Sequence, residues 1–212
     1  MNASTQLLSL QGELGVIEAL LDSPSDIPVG QFRGTAVIAH PHPLFGGTMQ
    51  NKVVQTLARA FVQSGWQAVR FNFRGVGASD GAYDEGRGEQ TDMLSVIEQT
   101  ALKDKPLALA GFSFGAYVTS HVLSRIWGTR TLDKVVLVGL AASKFQVAAL
   151  PREAHDATLV LHGERDDTVE LHSVMDWARP QSLPVTVIPG VEHFFHGQLP
   201  LLKSLVVRHL RG

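Results

Sequence analysis

The sequence predicts the α/β class: a mostly parallel, twisted sheet of about eight strands with helices on both faces. Short apolar or β-branched runs recur at Thr35 to Ala39, Ala68 to Phe73, Leu107 to Ala110, Val135 to Leu140, Thr158 to Leu161 and Val185 to Ile188, separated by stretches with helical periodicity. Runs that are apolar throughout, rather than at alternate positions, belong to strands buried on both faces, as parallel strands are. With 212 residues, 44% of them hydrophobic, the chain is long enough for one well-buried core and too short for two comfortable domains, so residues 1–212 read as one domain.

The elements follow in order. Leu7 to Leu10 and Gly15 to Leu21, joined around Gln11-Gly12-Glu13, form an antiparallel hairpin at the sheet edge, and Ser23 to Pro28 is a surface loop. Asn51 to Ser64 places Val53, Val54, Leu57, Ala58, Phe61 and Val62 on one helical stripe, and Gly65 stops the helix. Glu89 to Leu102 is a second helix, with Met93, Leu94, Val96 and Ile97 apolar; Phe114 to Trp127, the short Leu171 to Ala178, and Leu199 to Leu210 complete the set.

Composition removes several classes of function. A formal charge of -2, from 18 basic and 20 acidic residues, creates no field that would gather nucleic acid or an anionic membrane, so neither is expected as a partner. The absence of cysteine excludes disulfides, a thiolate nucleophile and thiolate-held metals. The start, Met1 to Gln6, lacks a basic patch leading into an apolar segment, and the longest apolar run, Val135 to Ala142, falls far short of the roughly 18 to 20 residues of a membrane span. The expectation is a soluble, cytoplasmic protein acting on a small molecule.

The chemistry concentrates at Gly111-Phe112-Ser113-Phe114-Gly115, placed directly after an apolar run and directly before a helix-forming stretch. This is the form of a nucleophile elbow, a strained strand-to-helix turn that lifts a serine hydroxyl out of a sheet. Side chains in place of its glycines would collide with the neighbouring strand and helix. The competing reading of Ser113, a helix N-cap, explains neither glycine.

A serine hydroxyl is nearly inert at neutral pH and needs a base, and the base needs an orienting partner. Both are present in the order this architecture uses, serine, then carboxylate, then histidine. The run Thr158 to Leu161 opens into His162-Gly-Glu-Arg-Asp166-Asp167-Thr-Val169, which puts Asp166 or Asp167 at the carboxyl end of a strand. Val185 to Ile188 opens into Pro189-Gly-Val-Glu-His193-Phe-Phe-His196-Gly197, where His193 comes first after the strand and His196 reads as a surface histidine. An oxyanion needs backbone N–H donors. Phe114 supplies one, and the loop His40-Pro-His42-Pro-Leu44-Phe-Gly-Gly47 supplies the other from His42 or Leu44, because Pro41 and Pro43 have no N–H; His42 lies nearer the strand end. No ligand set accompanies His40 and His42, so no metal is expected, and His40 reads as holding the loop through a ring hydrogen bond. The stretch Asn72 to Gly81 lacks the third glycine and the helix start of a dinucleotide fingerprint.

Taken together, the block His40 to Val54, the elbow, His162-Gly-x-x-Asp166 and His193-Phe-Phe-His-Gly197 resemble small bacterial α/β hydrolases related to dienelactone hydrolases, over nearly the whole chain. The resemblance implies the α/β-hydrolase fold. Within the acid loop the spacing Asp166-x-x-Val169 resembles that of many such hydrolases, with the valine packing under the carboxylate; Asp167 is then a helix N-cap or first-turn acid. Arg74-Gly-Val-Gly-Ala-Ser79 resembles a structural turn common in the fold, with no direct role for Arg74. Two departures stand out. Dienelactone hydrolases proper use a cysteine nucleophile, so their lactone substrate does not carry over, and Glu170 stands where many relatives have proline. Only Ala141 to Ala157 separates the sixth and seventh runs, which leaves no room for the helical cap of many lipases and epoxide hydrolases. An uncovered site favours short or activated acyl groups. The expected activity is cofactor-free cleavage of carboxylic esters or thioesters by Ser113, His193 and Asp166. The rivals are a peptidase or acyl-peptide hydrolase with the same triad, and a binding protein that kept only the fold.

Overall fold

The computed structural model describes residues 3–28 and 30–212; Met1 and Asn2, which begin the segment read above as lacking a leader, lie outside the described residues, as does Val29. The strands are β1 (Ala3–Gly12), β2 (Gly15–Pro24), β3 (Thr35–Ala39), β4 (Gln67–Phe71), β5 (Leu107–Phe112), β6 (Leu132–Val138), β7 (Thr158–Gly163) and β8 (Val185–Ile188). The α-helices are α1 (Lys52–Gln63), α2 (Arg87–Thr100), α3 (Phe114–Ile126), α4 (Leu171–Ala178) and α5 (Leu199–Arg211). One eight-stranded sheet runs in the order β1-β2-β4-β3-β5-β6-β7-β8. Within the β1–β2 hairpin the strands are antiparallel, β2 pairs antiparallel with β4, and β4, β3, β5, β6, β7 and β8 run parallel to one another.

Alternate residues of the central strands serve opposite faces. Val37 and Ala39 pack with Met93, Val96, Val118, Val122 and Val174 beneath α2, α3 and α4, whereas Ala36 and Ile38 pack with Leu57, Phe61, Leu202 and Val206 beneath α1 and α5. Each fully buried large apolar side chain contributes roughly 1.5–3 kcal/mol, which is why strands apolar at every position are stable only between two helical layers.

Where element ends differ from the sequence reading, capping and strand-end hydrogen bonds are responsible. Asn51 is the cap of α1, accepting from the N–H groups of Val53 and Val54. Helix α2 starts at Arg87 rather than Glu89, because the Glu89 carboxylate reaches back to the N–H groups of Asp84 and Gly86. Strand β4 stops at Phe71: the N–H of Asn72 turns to Glu18 and that of Phe73 to the His40 ring. Strand β6 stops at Val138 because Gly139 takes a φ of 54°. Asp167 is neither cap nor first-turn residue of α4; Glu170 occupies the cap position, and the placement of Asp167 in that helix is corrected accordingly. Arg74 is fully engaged with the buried Asp92 carboxylate, at 2.9 Å, a structural pair.

Between β6 and β7 the chain forms only a short 3₁₀ turn, Arg152–Ala154, so no cap covers the sheet's carboxyl edge. Among the described residues no helix is long and apolar enough to cross a membrane.

Candidate active site

Parallel register brings the carboxyl ends of β3, β5, β6, β7 and β8 to one rim: Ala39 pairs with Gly111, Phe112 with Val138, Val138 with Leu161, and Gly163 with Ile188. Ser113 stands at this rim between β5 and α3 with φ 56° and ψ -115°, a left-handed backbone that a non-glycine residue holds only when its surroundings enforce it. They do so through the two glycines. A Cβ on Gly111 would lie 2.4 Å from the backbone of Gly115, and one on Gly115 would lie 2.4 Å from the Ala39 carbonyl oxygen. The Ser113 side chain makes no capping hydrogen bond to α3, so the N-cap reading fails.

The loops after β7 and β8 are tied together by hydrogen bonds of their own. Glu164 N–H donates to the Ile188 carbonyl, Arg165 N–H to that of Val191, and the Glu164 carboxylate accepts from Gly190 N–H. Gly163 permits this approach, since a Cβ there would sit 2.4 Å from the Val191 oxygen. The result is a hydrogen bond of 2.6 Å between His193 Nδ1 and Asp166 Oδ2, with both side chains buried. The other carboxylate oxygen of Asp166 accepts from Thr168 N–H at 3.0 Å and from Val169 N–H at 2.7 Å. Burial by itself would raise the Asp166 pKa; the His193 hydrogen bond and charge together with the Val169 N–H outweigh it and hold the carboxyl below its usual range.

The His193 ring lies 4.9 Å from that of Phe112, the residue before Ser113. On another side it meets Gly139, where a Cβ would lie 3.1 Å from its Cε1. Asp166, His193 and the Ser113 elbow thus share one rim, and the direct hydrogen bond from Ser113 to His193 is not formed in this structure. His196 is exposed and pairs with Glu192.

Phe114 opens α3, so its N–H has no carbonyl one turn back to bond. In the loop after β3, the His42 carbonyl accepts from the N–H groups of Phe45 and Gly47, and Leu44 N–H is taken by His42 Nδ1 at 3.2 Å. Among the described residues the His42 backbone N–H has no partner. His40 is buried, with Nδ1 2.6 Å from the Pro41 carbonyl and Nε2 accepting Phe73 N–H, which fixes its tautomer and the loop.

Burial lowers the His40 pKa from 6.5 to about 4. An unfolded chain therefore takes up a proton below pH 6.5 that the folded one refuses until about pH 4, and stability is lost across that window. The loss amounts to on the order of 3 kcal/mol for a shift of this size. Urea unfolding from pH 7 to pH 4 is expected to show it, and His40→Gln, though less stable at pH 7, to flatten the slope.

Two residues were not anticipated from the sequence. Gly139 makes room for the His193 ring, and its only signal is a glycine at a strand end. His162, fully buried, bonds the Val169 carbonyl through Nε2 at 2.9 Å and lies 3.5 Å from Asp166 Oδ2. Burial lowers its pKa, so it stands neutral beside the carboxylate.

With the rim defined, the class of the protein follows: the chain belongs to the α/β-hydrolase family, residues 33–199 matching the model described as an alpha/beta hydrolase domain. Over its whole length it is similar to a Xanthomonas campestris α/β serine hydrolase without a lid, with 32% identity, a TM-score of 0.85 and 95% of that chain covered. A Coxiella burnetii α/β serine hydrolase homologue is 38% identical with a TM-score of 0.81, covering 97% of each chain. An uncharacterised Rickettsia prowazekii protein is 30% identical over 170 residues, 76% of this chain and 71% of that one.

Proposed function

We propose that the chain is a lidless serine hydrolase cleaving carboxylic esters or thioesters of small or short-chain acyl groups, with Ser113, His193 and Asp166 as its catalytic triad. The observation that carries this reading is the buried 2.6 Å bond between Asp166 and His193, on a ring packed against the residue that precedes an uncommitted, strained serine. Asp166 takes the Nδ1 proton side of the imidazole, which leaves Nε2 to act as base. As substrate binds and the serine–histidine hydrogen bond forms, Ser113 Oγ attacks the acyl carbon and its proton passes to His193. The backbone N–H groups of Phe114 and His42 receive the developing oxyanion. The leaving alcohol or thiol takes the proton from His193, and water, deprotonated by the same base, then releases the acid from Ser113. No cofactor enters these steps. Similarity to a serine hydrolase described as having no lid supports an open site suited to short acyl groups, and we place the enzyme in the cytoplasm with neither membrane nor nucleic acid as partner.

A fluorophosphonate probe tests the proposal. Labelling is expected at Ser113, one probe per chain, together with p-nitrophenyl ester hydrolysis that declines as the acyl chain lengthens. A folded protein that takes no label would instead be a binding protein on this fold.

A further inference from the structure

The steps above leave a set of aromatic side chains at the rim without a task. The His42 ring has Phe45 at 4.8 Å, Tyr83 at 4.9 Å, Phe114 at 5.0 Å and Phe145 at 5.9 Å. Phe145 in turn stacks on Tyr117 at 4.7 Å, with the planes 16° apart. These rings come from four separate stretches: the loop after β3, the connection from β4 to α2, the first turns of α3, and the connection from β6 to β7. Phe114 is fully buried by them, whereas His42, Tyr83 and Phe145 keep part of their surface in contact with water and Phe45 is 86% exposed. Exposure of that size means Phe45 adds almost nothing to the core, although the turn that carries it is held by the Phe45, Gly46 and Gly47 N–H groups.

The belt has a defined place in the reaction. It is centred on the side chain of the residue whose N–H is assigned to the oxyanion, and on the ring of Phe114, which supplies the other donor. The leaving group must face His193, which returns its proton, and His193 lies among Phe112, Phe194 and Gly139, a different set of side chains. The acyl substituent is therefore directed away from His193 and along the belt. The belt carries no fixed charge: burial lowers the His42 pKa, and Leu44 N–H occupies its Nδ1.

Resting on the serine-hydrolase reading, we infer that this belt is the acyl-binding surface and that it selects flat aromatic acyl groups over aliphatic groups of equal size, with Phe45 and Phe145 as specificity-determining residues. A ring laid on or against these rings gains offset-stacked or edge-to-face contacts that a saturated ring cannot make, a preference of about three- to tenfold per well-placed pair.

The test compares kcat/KM for p-nitrophenyl phenylacetate and p-nitrophenyl cyclohexylacetate, which share a leaving group and keep the ring one methylene from the carbonyl, each corrected for its uncatalysed rate. The wild-type ratio is expected to favour the phenyl ester by about three- to tenfold, and to fall toward one in Phe45→Leu and Phe145→Leu. Phe45→Leu keeps an apolar side chain at an exposed position, so its result does not depend on how Phe145→Leu folds. Equal hydrolysis of the two esters by the wild type, or a ratio that Phe45→Leu leaves in place, overturns the belt proposal while the serine-hydrolase reading stands. Failure to hydrolyse either ester by a protein that still takes the fluorophosphonate label and cleaves p-nitrophenyl acetate overturns the belt proposal alone; only loss of label and of p-nitrophenyl acetate hydrolysis as well overturns both.

Discussion

Ser113→Ala is expected to lower kcat for ester hydrolysis by roughly 10⁵- to 10⁶-fold, the size of the loss when a member of such a triad is removed, while the fold is retained. The hydroxyl caps nothing, and alanine carries the same Cβ at the same φ of 56°, so thermal unfolding should move little. What remains after the change is binding and oxyanion stabilisation, worth some 10³- to 10⁴-fold over water. Steady-state kinetics on p-nitrophenyl acetate, with circular dichroism as a check on folding, measures both. Activity surviving within tenfold would mean that another group attacks the carbonyl, and the proposed mechanism would be wrong.

Asp166→Asn should cost about 10⁴-fold in kcat with far less effect on KM, because an amide in place of the carboxylate presents an N–H to His193 Nδ1 and drives the imidazole into the tautomer that cannot accept from serine. The substitution keeps the shape of the side chain and an oxygen for the N–H groups of Thr168 and Val169, at 3.0 and 2.7 Å. Asp167→Asn is the matched control: Asp167 makes only a side-chain contact with Thr168, and its loss should change kcat less than twofold, a difference of roughly 0.4 kcal/mol. Equal losses in the two variants would reassign the acid.

Chain-local patterns were the legible part of this protein. Six apolar runs marked the parallel strands within a few residues, and the helical stripe from Val53 to Val62 marked the side of α1 that is buried. The elbow glycines announced a close approach that the backbone of Gly115 and the Ala39 carbonyl make explicit. Boundaries were less legible, since they depend on where a strand's last N–H goes. Phe73 looked like strand and instead bonds a histidine imidazole; Glu89 looked like a helix start and instead caps from within. Asp167 fell outside the helix assigned to it because α4 begins at Leu171 with Glu170 at its cap position, three residues further along the chain.

The amino-acid order by itself determined which backbone can be buried on both faces, where a serine can be lifted out of a sheet, and the order in which the candidate serine, carboxylates and histidines arrive. Those are properties of neighbouring residues, set by sterics and by the period at which apolar side chains recur. Only the tertiary structure decided that Asp166 rather than Asp167 meets His193, that Gly139 and His162 support the pair, and that rings from four stretches gather around His42. Distances between residues far apart in the chain are set by strand register and by which loops share hydrogen bonds, and neither is written in any local stretch.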